Sequence, residues 1–441
     1  MAIDYHDLTA IADALKRVYG EGITPQFNDE ATTYNQFPKS ERKPRGLGYY
    51  GSVRYARAQG TGARGESQKL PDPLVGKFDQ FTISPKYIYG SLRLTGPMIE
   101  AAKGDMAAFV EGQADAMDDI YQSIIVDLNR MSHSDGFGHL ATLSEASDAL
   151  TNSGTTTWTI TCDNDTGVMY LKEGMLVDFY DGASVDESSV ASRISSVDAQ
   201  NKTAEMEPND GTYKANHPIS GFSSYTIATD AVPDGAYVVK MGTRDASHAT
   251  TDTYYEMMGL NGIFDDGTLL ATFEGITVAS YPKWKANILG NSSVNRELSL
   301  DLMLQSLDVS RTMFGPSGML TMRMGLGQRR KYANLLLPDV RFQAGELKGG
   351  YETLTFAGGD GRTKIVVDPD SRPNKIFIHP EGAIEKYEMM PLGWLDRDQK
   401  IHMRSGYDEW DMVLGLYTNL GTERRNACTL IKDLVEPGLW D

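Results

Sequence analysis

The sequence predicts an α+β fold, and three observations carry the expectation. Segments with helical rhythm and segments that alternate side chains like strands are mixed along the 441 residues without regular strand and helix alternation. One helical segment, from about Met106 to Met131, is the strongest of them. A stretch from Thr156 to about Ala228 breaks into short β-like pieces separated by turn clusters such as "DAQN" and "PNDG".

Taken in order, the first element is an amphipathic helix from about Asp7 to Tyr19, with Leu8, Ile11, Ala12, Leu15 and Val18 on one stripe, ended by the Gly and Pro of "YGEGITPQF". Two strand-like runs follow, "GYYGSVRYARAQ" and "FTISPKYIYGSLRLTG", joined by the Gly- and Pro-studded "GTGARGESQKLPDPLVG". They read as one long two-stranded excursion. A hairpin of this length is only marginally stable alone in water, so it is expected to lie on something else.

In the long helix, Met106, Phe109, Val110, Ala114, Met117, Ile120, Tyr121, Ile124, Leu128 and Met131 follow an i, i+3, i+4, i+7 rhythm that tolerates the polar Gln113, and Asp105 is placed to cap it. At 1.5 Å per residue it makes a rod of roughly 39 Å. Phe109, Met117, Ile120, Ile124 and Leu128 are its expected core face. Beyond the β-rich stretch, Glu297 to Phe314 is a second amphipathic helix, stopped by Gly315 and Pro316. "MLTMRM" reads as a strand, "GQRRKYANLL" as a helix, and "YETLTFAGGDGRTKIVVD" as a hairpin with a Gly-Gly-Asp-Gly turn; "KIFIH" and "DMVLGLY" add extended pieces.

Composition is that of a folded protein: 40% hydrophobic and 23% charged residues. No apolar run approaches the ~18 residues of a membrane span, and the acidic start "MAIDYHDLTAIADALKRVYG" lacks the pattern of a signal peptide. Cys162 and Cys428 are the only cysteines, too few for a disulfide framework, and both are expected as free thiols. The net charge of -18 argues against a general nucleic-acid binder. It is unevenly spread: Arg42 to Arg93 holds ten basic against three acidic residues, a net +7 that leaves -25 elsewhere.

The stretch "NRMSHSDGFGHLATL", Asn129 to Leu143, offers a candidate chemical site. Its Gly136, Gly138 and Ala141 have dinucleotide-loop spacing, but such a loop follows a strand and opens a helix, and here the glycines follow a helix. A metal-dependent hydrolase would use His133, Asp135 and His139; the spacing is not H-E-x-x-H, and histidines six apart do not share a helix face. Helix termination, with Ser132, Ser134 and Asp135 as turn formers, accounts for every residue type present. The acidic pairs Asp118/Asp119 and Asp265/Asp266 read as solvated charges.

The order of parts, a leading arm, a basic hairpin too long to fold alone, a rod-like helix and a mixed body, resembles the major capsid protein of tailed double-stranded DNA bacteriophages, whose fold also forms the shell floor of herpesviruses. "SDGFGHLAT" resembles that family's turn after its spine helix. "KGGYETLTFAGGDGRTKIVVDPDSRPNKIFIHPEGAIEKYE" resembles its C-terminal pattern, and "GYDEWDMVLGLYTNLGTERRNACTLIKDL" its usual ending. The resemblance implies an N-terminal arm over 1–46, an extended loop over 47–95, and a peripheral domain over 96–155 carrying the spine helix. It leaves 231–441 for the rest of the peripheral and axial domains, with 156–230 as an inserted β-rich domain that departs from the minimal family plan.

The same resemblance implies a structural protein with no catalysis, cofactor or metal. Its copies would self-assemble into pentamers and hexamers of an icosahedral shell that encloses double-stranded DNA without sequence-specific binding. It implies a virion location after assembly in the host cytoplasm, with a separate scaffolding protein, a portal and a decoration protein as partners. Intersubunit contacts are expected from Arg54, Arg57, Arg64, Lys69 and Phe78, with Tyr49, Tyr50 and Leu74 also packing on a neighbour. A tail or baseplate protein is the other structural reading.

Overall fold

The structure is a computed structural model that describes residues 31–72, 75–97, 106–144, 158–163, 167–180, 192–207, 235–245, 253–315, 318–336, 355–356, 363–395, 402–403 and 406–437. The expected helix over Asp7 to Tyr19 and the cap Asp105 lie outside these residues. The chain is α+β.

A short helix, α1 (Thr32–Gln36), leads into a hairpin of β1 (Tyr49–Ala56) and β2 (Lys77–Ile83), paired antiparallel from Tyr49↔Ile83 to Ala56↔Lys77. Its root is core, since Tyr49, Phe81 and Ile83 are all buried. The expected second strand is two strands. Pro85 has no N–H to continue a ladder, and after it β3 (Lys86–Thr95) leaves the hairpin to pair along ten residues with a body strand, Glu409–Thr422. The free two-stranded excursion therefore spans residues 49–83, shorter than the expected 47–95.

Helix α2 (Met106–His133) runs 28 residues, two past the expected Met131. Ala116, Ile124, Leu128 and Met131 are buried, Met117 and Ile120 pack on the core with partial exposure, and the side chain of Phe109 lies outside the described residues. Tyr121, read as part of the apolar stripe, points out at 43% exposure. The buried face lies on β3, where Ile88, Leu92 and Leu94 alternate inward. At Gly90 a Cβ would fall 2.7 Å from Ile124 Cδ1, so glycine is what lets helix and strand close up. Each fully buried Ile or Leu of this seam contributes about 1.5–3 kcal/mol.

A six-stranded antiparallel sheet follows, ordered β4-β9-β6-β7-β8-β5, from β4 (His139–Thr142), β5 (Trp158–Thr161), β6 (Leu176–Tyr180), β7 (Ser192–Asp198), β8 (Thr203–Met206) and β9 (Tyr237–Lys240). It has its own core, including Leu140, Ile160, Val177, Phe179, Ile194, Met206 and Val238. Two of its strands, β4 and β9, come from outside the β-rich segment expected at 156–230, so the sheet grows directly from the exit of α2.

Two small hairpins come next, β10 (Arg244–Asp245) with β11 (Thr253–Tyr254) and, after α3 (Leu260–Ile263), β12 (Thr272–Phe273) with β13 (Ile276–Thr277). A mixed six-stranded sheet is built from β14 (Asn287–Leu289), β15 (Leu320–Met324), β16 (Thr355–Phe356), β17 (Thr363–Val367), β18 (Ile376–Pro380) and β22 (Thr429–Ile431) in the order β14-β22-β18-β15-β17-β16. Helix α4 (Leu300–Phe314) packs on it, capped by Ser299, whose Oγ accepts from Leu302 N at 3.2 Å, and ended at Gly315. Helix α5 (Leu326–Leu336) follows β15. The β16/β17 pair is the expected hairpin; its turn lies outside the described residues. The last sheet joins β19 (Ile384–Trp394), β20 (His402–Met403) and β21 (Glu409–Thr422), with β3 added on β21.

Candidate assembly surfaces

The hairpin beyond its root buries almost nothing. From Arg57 to Leu70 nearly every residue is exposed, and Leu47, Leu70, Val75 and Phe78 are all more than half exposed. The expected contact residues Arg54, Arg57, Arg64, Lys69 and Phe78 all stand on this surface. Arg54 stacks over the Phe78 ring with 4.7 Å to its centroid, an arrangement that joins charge and apolar area in one patch. Arg64 donates from Nε to Lys69 O at 3.0 Å, and Lys69 pairs with Asp72 at 2.8 Å. Arg54, Arg57 and Arg64 have no carboxylate partner among the described residues. Tyr49 is a correction: it packs edge-on against Tyr387, 5.2 Å between centroids, inside its own subunit, while Tyr50 is exposed and Leu74 lies outside the described residues. The strand period places Tyr49 and Phe81 inward.

Helix α1, in the same core cluster as the hairpin root, is anchored by side chains that sequence spacing does not reveal. Thr33 N donates to Asn129 Oδ1 and to Asp368 Oδ2, both at 3.0 Å, and Asn129 Nδ2 donates on to Asp370 Oδ2 at 2.6 Å. Asp368 is buried, which resists ionisation, yet hydrogen bonding and charge from His133 and the bond from Thr33 hold its carboxyl well below the usual range. Arg323 Nη1 reaches Gln36 Oε1 at 3.2 Å, and its guanidinium lies over Phe37 at 4.6 Å. The residues cooperating here are up to 335 positions apart, so no local pattern announces them.

The His133, Asp135 and His139 set does not converge. His133 Nε2 stands 3.3 Å from Asp368 Oδ2, whereas His139 Nδ1 lies 3.1 Å from Asp135 Oδ2 with its ring stacked on Tyr237 at 4.0 Å. Asp135 also accepts from Phe137 N at 3.0 Å and faces Arg372 at 3.9 Å. Burial opposes its ionisation, and His139, Arg372 and the Phe137 N–H overcome that to hold the carboxyl low. Gly136 and Gly138, at φ 84° and 79°, turn the chain from α2 into β4. Among the described residues no group of three or more His, Cys, Asp or Glu is arranged to hold a metal ion. Of the acidic pairs, Asp118 and Asp119 are exposed on α2, and Asp265 is a turn former accepting from Gly267 N, Leu269 N and Leu270 N. Both cysteines are buried, and burial pushes each thiol up to about 12.

No protein-family model and no curated protein matches the chain. Solved structures do. The cyanophage A-1(L) capsid asymmetric unit aligns over 95% of this chain and 96% of that chain at 12% identity, with a TM-score of 0.55. The chain has the tailed-phage capsid fold. The capsid of an empty GTA particle covers 95% of each chain at 9% identity and a TM-score of 0.50. At such identities the capsid fold is shared and individual residues are not.

Proposed function

We propose that this protein is the structural subunit of an icosahedral shell and not an enzyme, with copies forming pentamers and hexamers that enclose packaged double-stranded DNA. The observation that carries the reading is the hairpin: an excursion with its root in the core and exposed Arg54, Arg57, Arg64, Leu70, Val75 and Phe78 beyond it, the described residues of its tip lying open, within a chain of capsid fold. Two exposed strands with bare apolar side chains are costly in water and stable once laid on a neighbour. Arms and hairpins reaching across neighbours convert one modest interface into several, so a closed shell holds even when each contact is weak.

The charge split fits the same role. An acidic body with exposed arginines on the hairpin, Arg54, Arg57 and Arg64, attracts copies to one another while leaving little basic surface to bind packaged DNA non-specifically. A separate scaffolding protein, a portal and a decoration protein are the partners this reading brings, with assembly in the host cytoplasm and the virion as destination. Size measurement of the purified full chain by light scattering, with electron micrographs, tests it. Rings or closed megadalton shells are expected. Open tubes would favour a tail protein, and a small defined oligomer that forms neither would overturn the structural reading.

A further inference from the structure

We propose that Glu274 is a protonation-controlled latch between the hairpin root and the body sheet, so that pH regulates how firmly the hairpin is held. The regulatory part rests on the reading of the hairpin as an assembly element. The latch itself stands on geometry. Glu274 and Gly275 form the two-residue turn between β12 and β13, with φ of 51° and 83°. Positive φ at both positions is the demand of a type I′ turn, which selects Asn, Asp or Gly at the first. Glutamate there is strained, and such outliers are where function is sought.

From this position one residue holds two elements. Its carbonyl accepts from Thr82 N at 2.8 Å, on β2 of the hairpin, and its Oε1 accepts from Thr422 N at 2.9 Å, at the end of β21. The fit is close: a Cβ on Gly421 would fall 2.4 Å from Ile83 Cδ1 and 2.8 Å from Glu274 Oε1. The turn is partly exposed, but the carboxyl is turned inward, and Oε2 is buried with no hydrogen-bond partner among the described residues.

The groups facing it do not supply a free cation. Arg425 is committed to the carbonyls of Ile263, Trp284 and Gly262 and lies 3.6 Å from Asp265. Glu423 is tied to Arg42, and Tyr387 and Cys428 complete the titratable surroundings. Burial, with Glu423 adding to it, outweighs the Thr422 N–H and Arg425 and raises the Glu274 carboxyl from 4.5 to about 8. Burial penalises the ionised carboxyl more than the neutral one. An ionised one leaves a buried oxygen without a donor, and relief comes by swinging out and releasing Thr422.

The direction follows from linkage. The latched carboxyl titrates at about 8 and a released, solvated one near 4.5, so the latch is strongest below 4.5 and weakens progressively up to about 8. Within that window the opening constant rises about tenfold per pH unit.

Amide hydrogen exchange of the full-length, disassembled subunit between about pH 5.5 and 7.5 reads this directly. When exchange is limited by an opening equilibrium, ordinary amides speed up tenfold per pH unit from base catalysis alone. Thr422, whose N–H the carboxyl holds, is expected to speed up about a hundredfold per unit, and only tenfold in Glu274→Gln, which keeps the Oε1 acceptor and cannot titrate; Thr82, held by the backbone carbonyl, is the internal reference at tenfold. A tenfold slope at Thr422 in the unaltered protein overturns the latch, whether or not Glu274→Gln folds. Assembly yield at pH 6 against pH 8.5 then tests the regulatory part: loss of pH dependence in Glu274→Gln supports it, and an unchanged profile overturns it. Failure of the unaltered protein to assemble at any pH would count against the shell reading alone, because exchange is measured on free subunits.

Discussion

Arg323 donates from Nε to His379 Nε2 across 3.0 Å, in a site where neither residue is more than 4% exposed. An imidazole that accepts at Nε2 carries its proton on Nδ1, and Nδ1 lies 2.9 Å from Pro380 O, which accepts it. Burial, reinforced by the Arg323 charge, pushes His379 down to about 3. The pair holds a neutral histidine under an arginine whose Nη1 donates to Thr33 and Gln36 of α1, so the β15–β18 ladder and α1 share one polar joint.

That joint makes stability depend on acid. Below pH 6.5 the unfolded chain binds a proton that the folded chain refuses until about pH 3, so stability falls as pH falls through this window. His379→Gln keeps an acceptor for Arg323 and removes the titration. Thermal unfolding should show a flatter pH dependence, with about 2 kcal/mol less lost between pH 6.5 and about 4.5. An unchanged slope would mean that His379 is already charged in the folded state.

His133 is structural, fully buried 3.3 Å from the Asp368 carboxylate that holds Thr33. His133→Ala should cost about 1–3 kcal/mol, because a buried carboxylate loses a partner. His139→Ala should cost less, since that side chain is partly exposed. Metal content should not change in either. Stoichiometric zinc in the unaltered protein, lost on mutation, would revive the hydrolase.

Phe81 and Phe78 lie three residues apart on β2 with opposite fates, the first fully buried and the second 56% exposed. Phe81→Ala should destabilise the subunit by about 3–5 kcal/mol in chemical denaturation. Phe78→Ala should leave subunit stability within about 0.5 kcal/mol and weaken particle formation. Equal effects on folding would place both residues in the core and remove Phe78 from the assembly surface.

Deleting residues 60–73 should leave a folded subunit by circular dichroism and abolish or weaken shell closure, because the described part of this segment is exposed. Reversing Arg54, Arg57 and Arg64 together to glutamate should act in the same direction. Defects of single reversals should worsen with salt, as the Debye length shrinks from ~10 Å at 0.1 M to ~3 Å at 1 M. Single rim charges are each worth little, so the triple change carries the effect. Normal shells from the deletion would sink the role given to the hairpin.

What the sequence by itself determined is what neighbours along the chain encode. The 3.6-residue rhythm from Met106, the Gly and Pro stops, the extended runs "MLTMRM", "KIFIH" and "DMVLGLY", and the basic stretch after Arg42 are local patterns, and each reappears as an element or an exposed surface. Only the tertiary structure decided which elements pair and which polar groups meet. It ends the hairpin at Ile83 and gives β3 to β21, a strand more than 300 residues away, and it draws β4 and β9 into the six-stranded antiparallel sheet. It also brings His133 to Asp368, Arg323 to His379 and Glu274 to Thr422. The reason is physical. Burial periodicity is written into adjacent side chains, whereas a buried donor or acceptor is satisfied by whatever group the folded chain places within 3 Å, wherever in the sequence that group lies.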